Sequence, residues 1–264
     1  MISNRVKENT NYIFTFGKSG VGKSTLLSVV SSYLIHHKEV NLIPNTERNR
    51  EGSKILINDW LHNLNNNKFP PRSLIGEILQ IEAALENLST GDLIPLTLLE
   101  MSGEDLRKIE SRTEMNENEE RLEEKFIGFI KRMDICILVT SVEEAKIDDL
   151  LLWQFLVKLQ NNGIDVPIVL VISKWDELEE KLKSSINPIK FVEMNMPITN
   201  KHFKRTSLLN ANIFSFSIGQ VENGDINMVD LESVSKITSW IYDSILIRQK
   251  IKKLKNRTNI GNTK

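Results

Sequence analysis

Tyr12-Ile13-Phe14-Thr15-Phe16-Gly17-Lys18-Ser19-Gly20-Val21-Gly22-Lys23-Ser24-Thr25 decides how the rest of the chain is read. Tyr12 to Phe16 is a compact apolar, β-branched run and predicts a strand. Leu26, Leu27, Val29, Val30, Tyr33 and Leu34 then recur at helical spacing up to about His37. Between strand and helix, Gly17 to Ser24 fits G-x-x-x-x-G-K-[ST]. Gly20 and Gly22 let the backbone curl so that successive N–H groups point inward. Such donors at a helix N-terminus suit phosphate oxygens. Ser19, Gly20, Val21, Gly22, Lys23, Ser24 and Thr25 are therefore the expected phosphate-binding residues. Lys23 is expected to reach the β- and γ-phosphates, and the Ser24 hydroxyl to hold Mg²⁺.

Outward from that stretch, apolar runs and helical patterns alternate. Asp92 to Glu100, Ile135 to Val139, Val166 to Ser173 and Ile213 to Ser217 read as strands. Leu74 to Leu88 fits a strand or a helix by pattern. Residues 143–161 and Val229 to about Leu254 read as helices, and one more is expected from Ser53 to Leu64. Residues 38–72 otherwise read as irregular and polar, and the Pro70-Pro71 pair forbids helix there. Continuous apolar strands alternating with helices are what a parallel sheet covered on both faces requires. The expected fold is α/β, a mostly parallel six-stranded sheet with helices on both faces. The expected organisation is a mobile tail at 1–10, one domain at 11–250 with an insertion at 38–72, and a basic tail at 251–264.

Composition narrows the classes. The 264 residues are 40% hydrophobic and 26% charged, and Lys+Arg (34) nearly balances Asp+Glu (35), which excludes a surface that is all nucleic-acid clamp. One Cys excludes a disulfide framework or a cysteine-built zinc site, and four His leave little for a histidine metal cluster. Cys136 reads as core. No apolar run approaches the ~20 residues of a membrane span, and the polar N-terminus has no apolar signal core. A cytoplasmic setting is the expectation. Residues 248–255 form a basic amphipathic end, read as a solvated helix terminus that can make at most a weak membrane-surface contact.

Ser173-Lys174-Trp175-Asp176 closes a buried strand and carries the second signal. A carboxylate there can accept from N1–H and the exocyclic amine of guanine. Adenine lacks that donor pair, so Asp176 would select against it. The Lys174 stem can lie over the ring face. The competing reading of Asp176 is a helix cap.

These motifs, in this order, resemble the P-loop GTPases of the translation-factor and Ras-like class. The stretch around Trp60 and Phe69-Pro70-Pro71-Arg72-Ser73, with Gly103-Glu104, is also similar to bacterial double-GTPase-like domains. The resemblance implies the P-loop GTPase fold with an insertion before switch I. It places Ser73 at the switch I Thr, Glu100-Met101-Ser102-Gly103 at D-x-x-G, Ser173–Asp176 at [NT]-K-x-D, and Ser217-Ile218 in the last base-side loop. It implies Ser24, Ser73 and Glu100 around Mg²⁺, and Gly103, Ser173, Lys174, Asp176, Ser217 and Ile218 around GTP or GDP. Glu104 stands where relatives orient the attacking water, or is simply a helix-start carboxylate. Arg72 lies where it can supply charge in cis, or is a surface residue. Three departures, Glu100 for Asp, Ser73 for Thr and Ser173 for Asn or Thr, each keep the atom type. The implied activity is GTP hydrolysis with Mg²⁺ in a molecular switch, read by a protein effector at 68–73 and 100–110. The alternatives are a P-loop ATPase or nucleotide kinase, and a non-hydrolysing GTP-binding scaffold.

Overall fold

In the computed structural model, β1 (Asn11–Gly17) lies at the centre of a seven-stranded sheet and α1 (Lys23–His37) follows it directly. The structure describes residues 10–37, 40–44, 50–70, 79–102, 124, 126–178, 183, 185–205, 211–222, 225–228 and 230–261. The remaining strands are β2 (Val40–Pro44), β3 (Leu79–Asn87), β4 (Leu93–Ser102), β5 (Ile135–Ser141), β6 (Ile168–Ser173) and β7 (Ala211–Ser215). Their order is β2-β3-β4-β1-β5-β6-β7. Strands β4, β1, β5, β6 and β7 run parallel, while β3 is antiparallel to both its neighbours. Gly17 pairs with Ser102 across β1 and β4, so these strands end level. Ser141 likewise faces Ser173 across β5 and β6. The C-terminal ends of the parallel strands thus share one rim, the edge at which open α/β sheets bind ligands.

Each central strand is apolar on both faces because helices cover both. Ile13, Ile135, Ile137, Val139, Val169 and Val171 point to one core, which α1, α2 (Arg50–Asn65) and α6 (Leu231–Gly261) close. Phe14, Phe16, Cys136, Leu138, Leu170 and Ile172 point to the other, which α3 (Ala145–Asn161), α4 (Pro188–Asn195) and α5 (Pro197–Arg205) close. There Phe155 of α3 stacks on Phe16 with ring centroids 4.2 Å apart and on Phe14 at 5.8 Å. Burial of the Cys136 thiol pushes its pKa up, in keeping with a core residue.

The sheet has seven strands, not the six expected. The seventh, β2, comes from the stretch read as irregular. Val40 and Leu42 are buried while Asn41 is exposed, a clean two-residue alternation too short to stand out beside Pro44. Pro44 ends an edge strand, where a missing N–H is tolerated. Trp60 of α2 is fully buried in the first core, so this segment belongs to the sheet and its packing. Leu74 to Leu88 resolves in favour of a strand over Leu79–Asn87. A short ribbon of β8 (Gln220–Glu222) and β9 (Asp225–Met228), which the sequence reading does not anticipate, follows β7. Helix α6 runs to Gly261, through most of the stretch read as a basic tail.

Candidate functional site

The turn from β1 into α1 takes the shape its glycines allow. Gly20 and Gly22 have φ of 82° and 87°, a region costly to side chains with a Cβ. Gly17 answers a different demand: a Cβ there would lie 2.1 Å from the Val139 carbonyl oxygen of β5. The strand end and its neighbour therefore touch backbone to backbone. Val21 is buried beneath the loop, Ser19 and Gly20 are exposed, and α1 begins at Lys23.

Lys23 is 95% buried, and its ammonium donates to the carbonyls of Gly17 at 2.9 Å and Lys18 at 2.7 Å. These bonds fold the side chain back over the loop and hold a positive charge inside the curl. One turn of sheet away, Glu100 of β4 is buried. The Ser24 hydroxyl sits 3.0 and 3.1 Å from its two carboxylate oxygens. The longer Glu side chain, where Asp was the family expectation, reaches the hydroxyl with both oxygens. A hydroxyl and a carboxylate are the hard oxygen donors that suit Mg²⁺, so the residues present fit that ion.

The opposite wall comes from the ends of β6 and β7. The Ser173 hydroxyl donates to the carbonyls of Val21 at 2.6 Å and Thr140 at 3.0 Å, tying β6 to the glycine-bearing loop after β1 and to β5. Lys174 has φ 54°, left-handed backbone that a residue other than Gly seldom adopts. That turn starts the short 3₁₀ segment Trp175–Glu177 and carries Asp176 to the cavity. Ser217 donates its hydroxyl to Asp176 Oδ1 at 2.8 Å and accepts from the Gly219 N–H at 3.0 Å. Asp176 is therefore oriented by the last loop of the sheet. Burial pushes the Glu177 carboxyl up, the charges of Glu143 and Asp176 add to that, and Lys174 opposes it.

A cavity of about 430 Å³ joins these parts. It is lined by Lys23, Ser24, Thr25, Glu100, Ser173, Lys174, Asp176 and Ile218, together with Ser19, Gly20 and Gly22. That volume lies within the ~300–1,000 Å³ usual for small-molecule sites. Val21 and Ser217 support the lining from behind through the bonds just given. Phe69 and Pro70 also line the cavity, as do Glu177 and Phe216, none of which the sequence reading assigned to the site. The Pro pair marked Phe69 and Pro70 as loop residues and the resemblance put 68–73 near the nucleotide, but no motif singles out these two side chains as lining. Arg72, Ser73, Gly103 and Glu104 lie outside the described residues.

A glycine-bearing strand-loop-helix turn on a mostly parallel, helix-covered sheet, with a cavity at the C-terminal rim of its strands, defines an open α/β fold. No protein-family model matches the chain, and no curated protein does. Solved structures do. A probable GTP-binding protein engB superposes with a TM-score of 0.43 at 15% identity, over 89% of this chain and 98% of the other. An ADP-ribosylation-factor-like GTP-binding protein (small COPII coat GTPase SAR1) from Encephalitozoon cuniculi, in complex with GDP, gives 0.43 at 11%, over 95% and 87%. Superpositions this loose carry no weight beside the geometry above.

Proposed function

We propose that this chain binds GTP and GDP with Mg²⁺ and hydrolyses GTP as a molecular switch. The observation that carries the reading is the shared cavity: a buried Lys23 ammonium, a Ser24–Glu100 oxygen pair and the Asp176 carboxylate all line it. The loop N–H groups and Lys23 answer a polyphosphate at one end. Asp176, held by Ser217, answers the N1–H and amine of guanine at the other. When bound, Mg²⁺ supplies charge to the developing phosphate oxygens, held by Ser24, Glu100 and Ser73. Lys174 covers the base with its stem, and Ser217 and Ile218 close the base side. Glu104 positions the attacking water, Arg72 lends positive charge in cis, and Gly103 approaches the γ-phosphate. Segments 68–73 and 100–110 present the nucleotide state to a protein effector in the cytoplasm. No helix among the described residues is long and apolar enough to cross a membrane.

The test is binding of GDP, GTP and ATP followed by single-turnover hydrolysis with saturating Mg²⁺. Preference for guanine nucleotides with turnover is the expected result. Preference for ATP would make the chain an ATPase or nucleotide kinase, and tight GTP binding without turnover a scaffold. Glu104→Ala should slow single-turnover hydrolysis by about 10²-fold or more with GTP affinity little changed. Equal rates would reduce Glu104 to a helix-start carboxylate.

A further inference from the structure

We propose that Lys18 is a positioning residue of the phosphate loop, locked by Glu144 and Asp148 so that its carbonyl stays in place for the Lys23 ammonium. The inference rests on the reading of the cavity as a nucleotide site and adds a residue to it. Lys18 occupies a variable place in the loop motif, where no particular side chain is required. Its ammonium nevertheless lies 2.7 Å from Glu144 Oε2 and 3.0 Å from Asp148 Oδ1. The Asp148 side chain is fully buried and that of Lys18 is 14% exposed. A solvated lysine would need neither partner.

The rest of the network explains what the lock holds. Thr140 donates its hydroxyl to the second Asp148 oxygen at 2.7 Å. The Thr140 carbonyl accepts from Ser173, which also donates to the Val21 carbonyl. The exposed crest of the loop, Ser19 and Gly20, is thus gripped on both flanks. One grip is the Lys18 side chain on α3, and the other is the Val21 carbonyl on β6. Between them the Lys18 carbonyl accepts from Lys23 Nζ at 2.7 Å, so a shift of residue 18 moves the Lys23 charge directly.

Helix α3 is a firm post for this grip. Leu151, Leu152, Phe155, Leu156 and Leu159 bury its inner face. Asp149, the next residue along, accepts from the N–H groups of Ile198 at 3.0 Å and Thr199 at 2.8 Å, fastening α5 to it. Burial raises the Asp148 pKa, with Thr140 and Lys18 acting against that shift. Burial also pulls the Lys18 ammonium down, but its bonds and attraction to Glu144 and Asp148 more than offset it and its pKa is raised. A buried ion pair is weak evidence for added stability, and fixing geometry is the role proposed for this one.

The experiment measures GTP·Mg²⁺ affinity and thermal stability for the full chain carrying Lys18→Met, Lys18→Arg, Asp148→Asn, or Lys18→Met with Asp148→Asn. Lys23→Ala serves as the control. Lys18→Met and Asp148→Asn should each weaken GTP binding about tenfold, and the double variant no further, because coupled residues do not add. Lys18→Arg should bind within about twofold of wild type, since its guanidinium can meet both carboxylates. If Lys18→Met alone fails to fold, the double variant also removes the buried Asp148 charge and carries the same test against Asp148→Asn. Variants that melt earlier yet bind GTP like wild type would reduce the lock to a structural ion pair, as would strictly additive losses. If Lys23→Ala also binds GTP like wild type, the nucleotide reading fails instead.

Discussion

Asp176 shows how much one carboxylate can decide. It follows a left-handed turn at Lys174, takes a hydrogen bond from Ser217 on one oxygen and lines the cavity. Non-Gly residues in that backbone region cost of order 1–3 kcal/mol, a strain found where a site needs it. Asp176→Asn replaces an acceptor by a donor. GTP affinity should fall by about tenfold or more and xanthosine triphosphate, with a carbonyl at C2, should gain. Nucleotide competition reads this directly, and an unaltered preference for GTP over ATP would remove Asp176 from base recognition. Lys23 makes the matching argument at the end proposed to hold the phosphates. Lys23→Ala deletes a charge-assisted contact and orphans the carbonyls of Gly17 and Lys18. It should weaken GTP binding by about 10- to 100-fold while leaving the circular-dichroism spectrum unchanged. Both residues were visible in the sequence because their motifs are local. The bond that aims Asp176 spans 41 positions, and the ion pair that fixes Lys18 spans 126, so neither partner could be found by spacing.

At the scale of elements, β1 and its loop were the easiest to read and carry the largest consequences. Gly17→Ala would drive a Cβ to 2.1 Å from the Val139 carbonyl, so β1 and β5 must part. Overpacking against backbone has no soft side chain to absorb it, and the loss should be about 3 kcal/mol or more in urea unfolding. An unchanged midpoint would mean the strands separate freely. Strand β3 shows why the neighbouring segment resisted. Ile81, Ala83 and Leu85 are buried and Glu82 and Ala84 less so, but the alternation is blurred by the apolar residues that precede it. Helix α5 supplies a pH handle. His202 is half-buried and burial lowers its pKa below 6.5. Its neutral form is therefore favoured in the fold. That contribution is present above pH 6.5 and is lost as pH falls through the lowered folded-state value. His202→Gln should flatten the loss of stability that sets in as pH falls below 6.5, measured by denaturant unfolding at pH 7.5 and at successively lower pH, and parallel curves for both proteins would contradict it.

Across the whole molecule, the last helix is stitched to the first strand at the end remote from the cavity. Gln249 of α6 accepts from the buried Asn11 side chain at 3.0 Å. Lys252 pairs with Asp134 and donates to the Thr10 carbonyl, while Asp134 accepts from the Tyr12 N–H at 2.9 Å. The two ends of a 238-residue separation thus fix the start of the strand whose far end runs into the glycine-bearing loop. None of these partners carries a motif, so sequence could show a long final helix but not its anchor. Because β1 also pairs with β4 and β5 along its length, the stitch acts on global stability more than on loop shape. Gln249→Leu keeps the size and helix preference of the side chain and removes the acceptor, leaving a buried amide donor short of a partner. It should cost about 1–3 kcal/mol of stability. Ligand stabilisation depends on concentration over Kd alone, as RT ln(1 + [L]/Kd), so the GTP-induced gain should equal that of wild type. Unfolding both proteins in urea, with and without GTP·Mg²⁺, separates the two quantities. A lower baseline with an equal ligand-induced gain is the expected pattern. A smaller gain in Gln249→Leu would mean that α6 reaches the nucleotide site through β1.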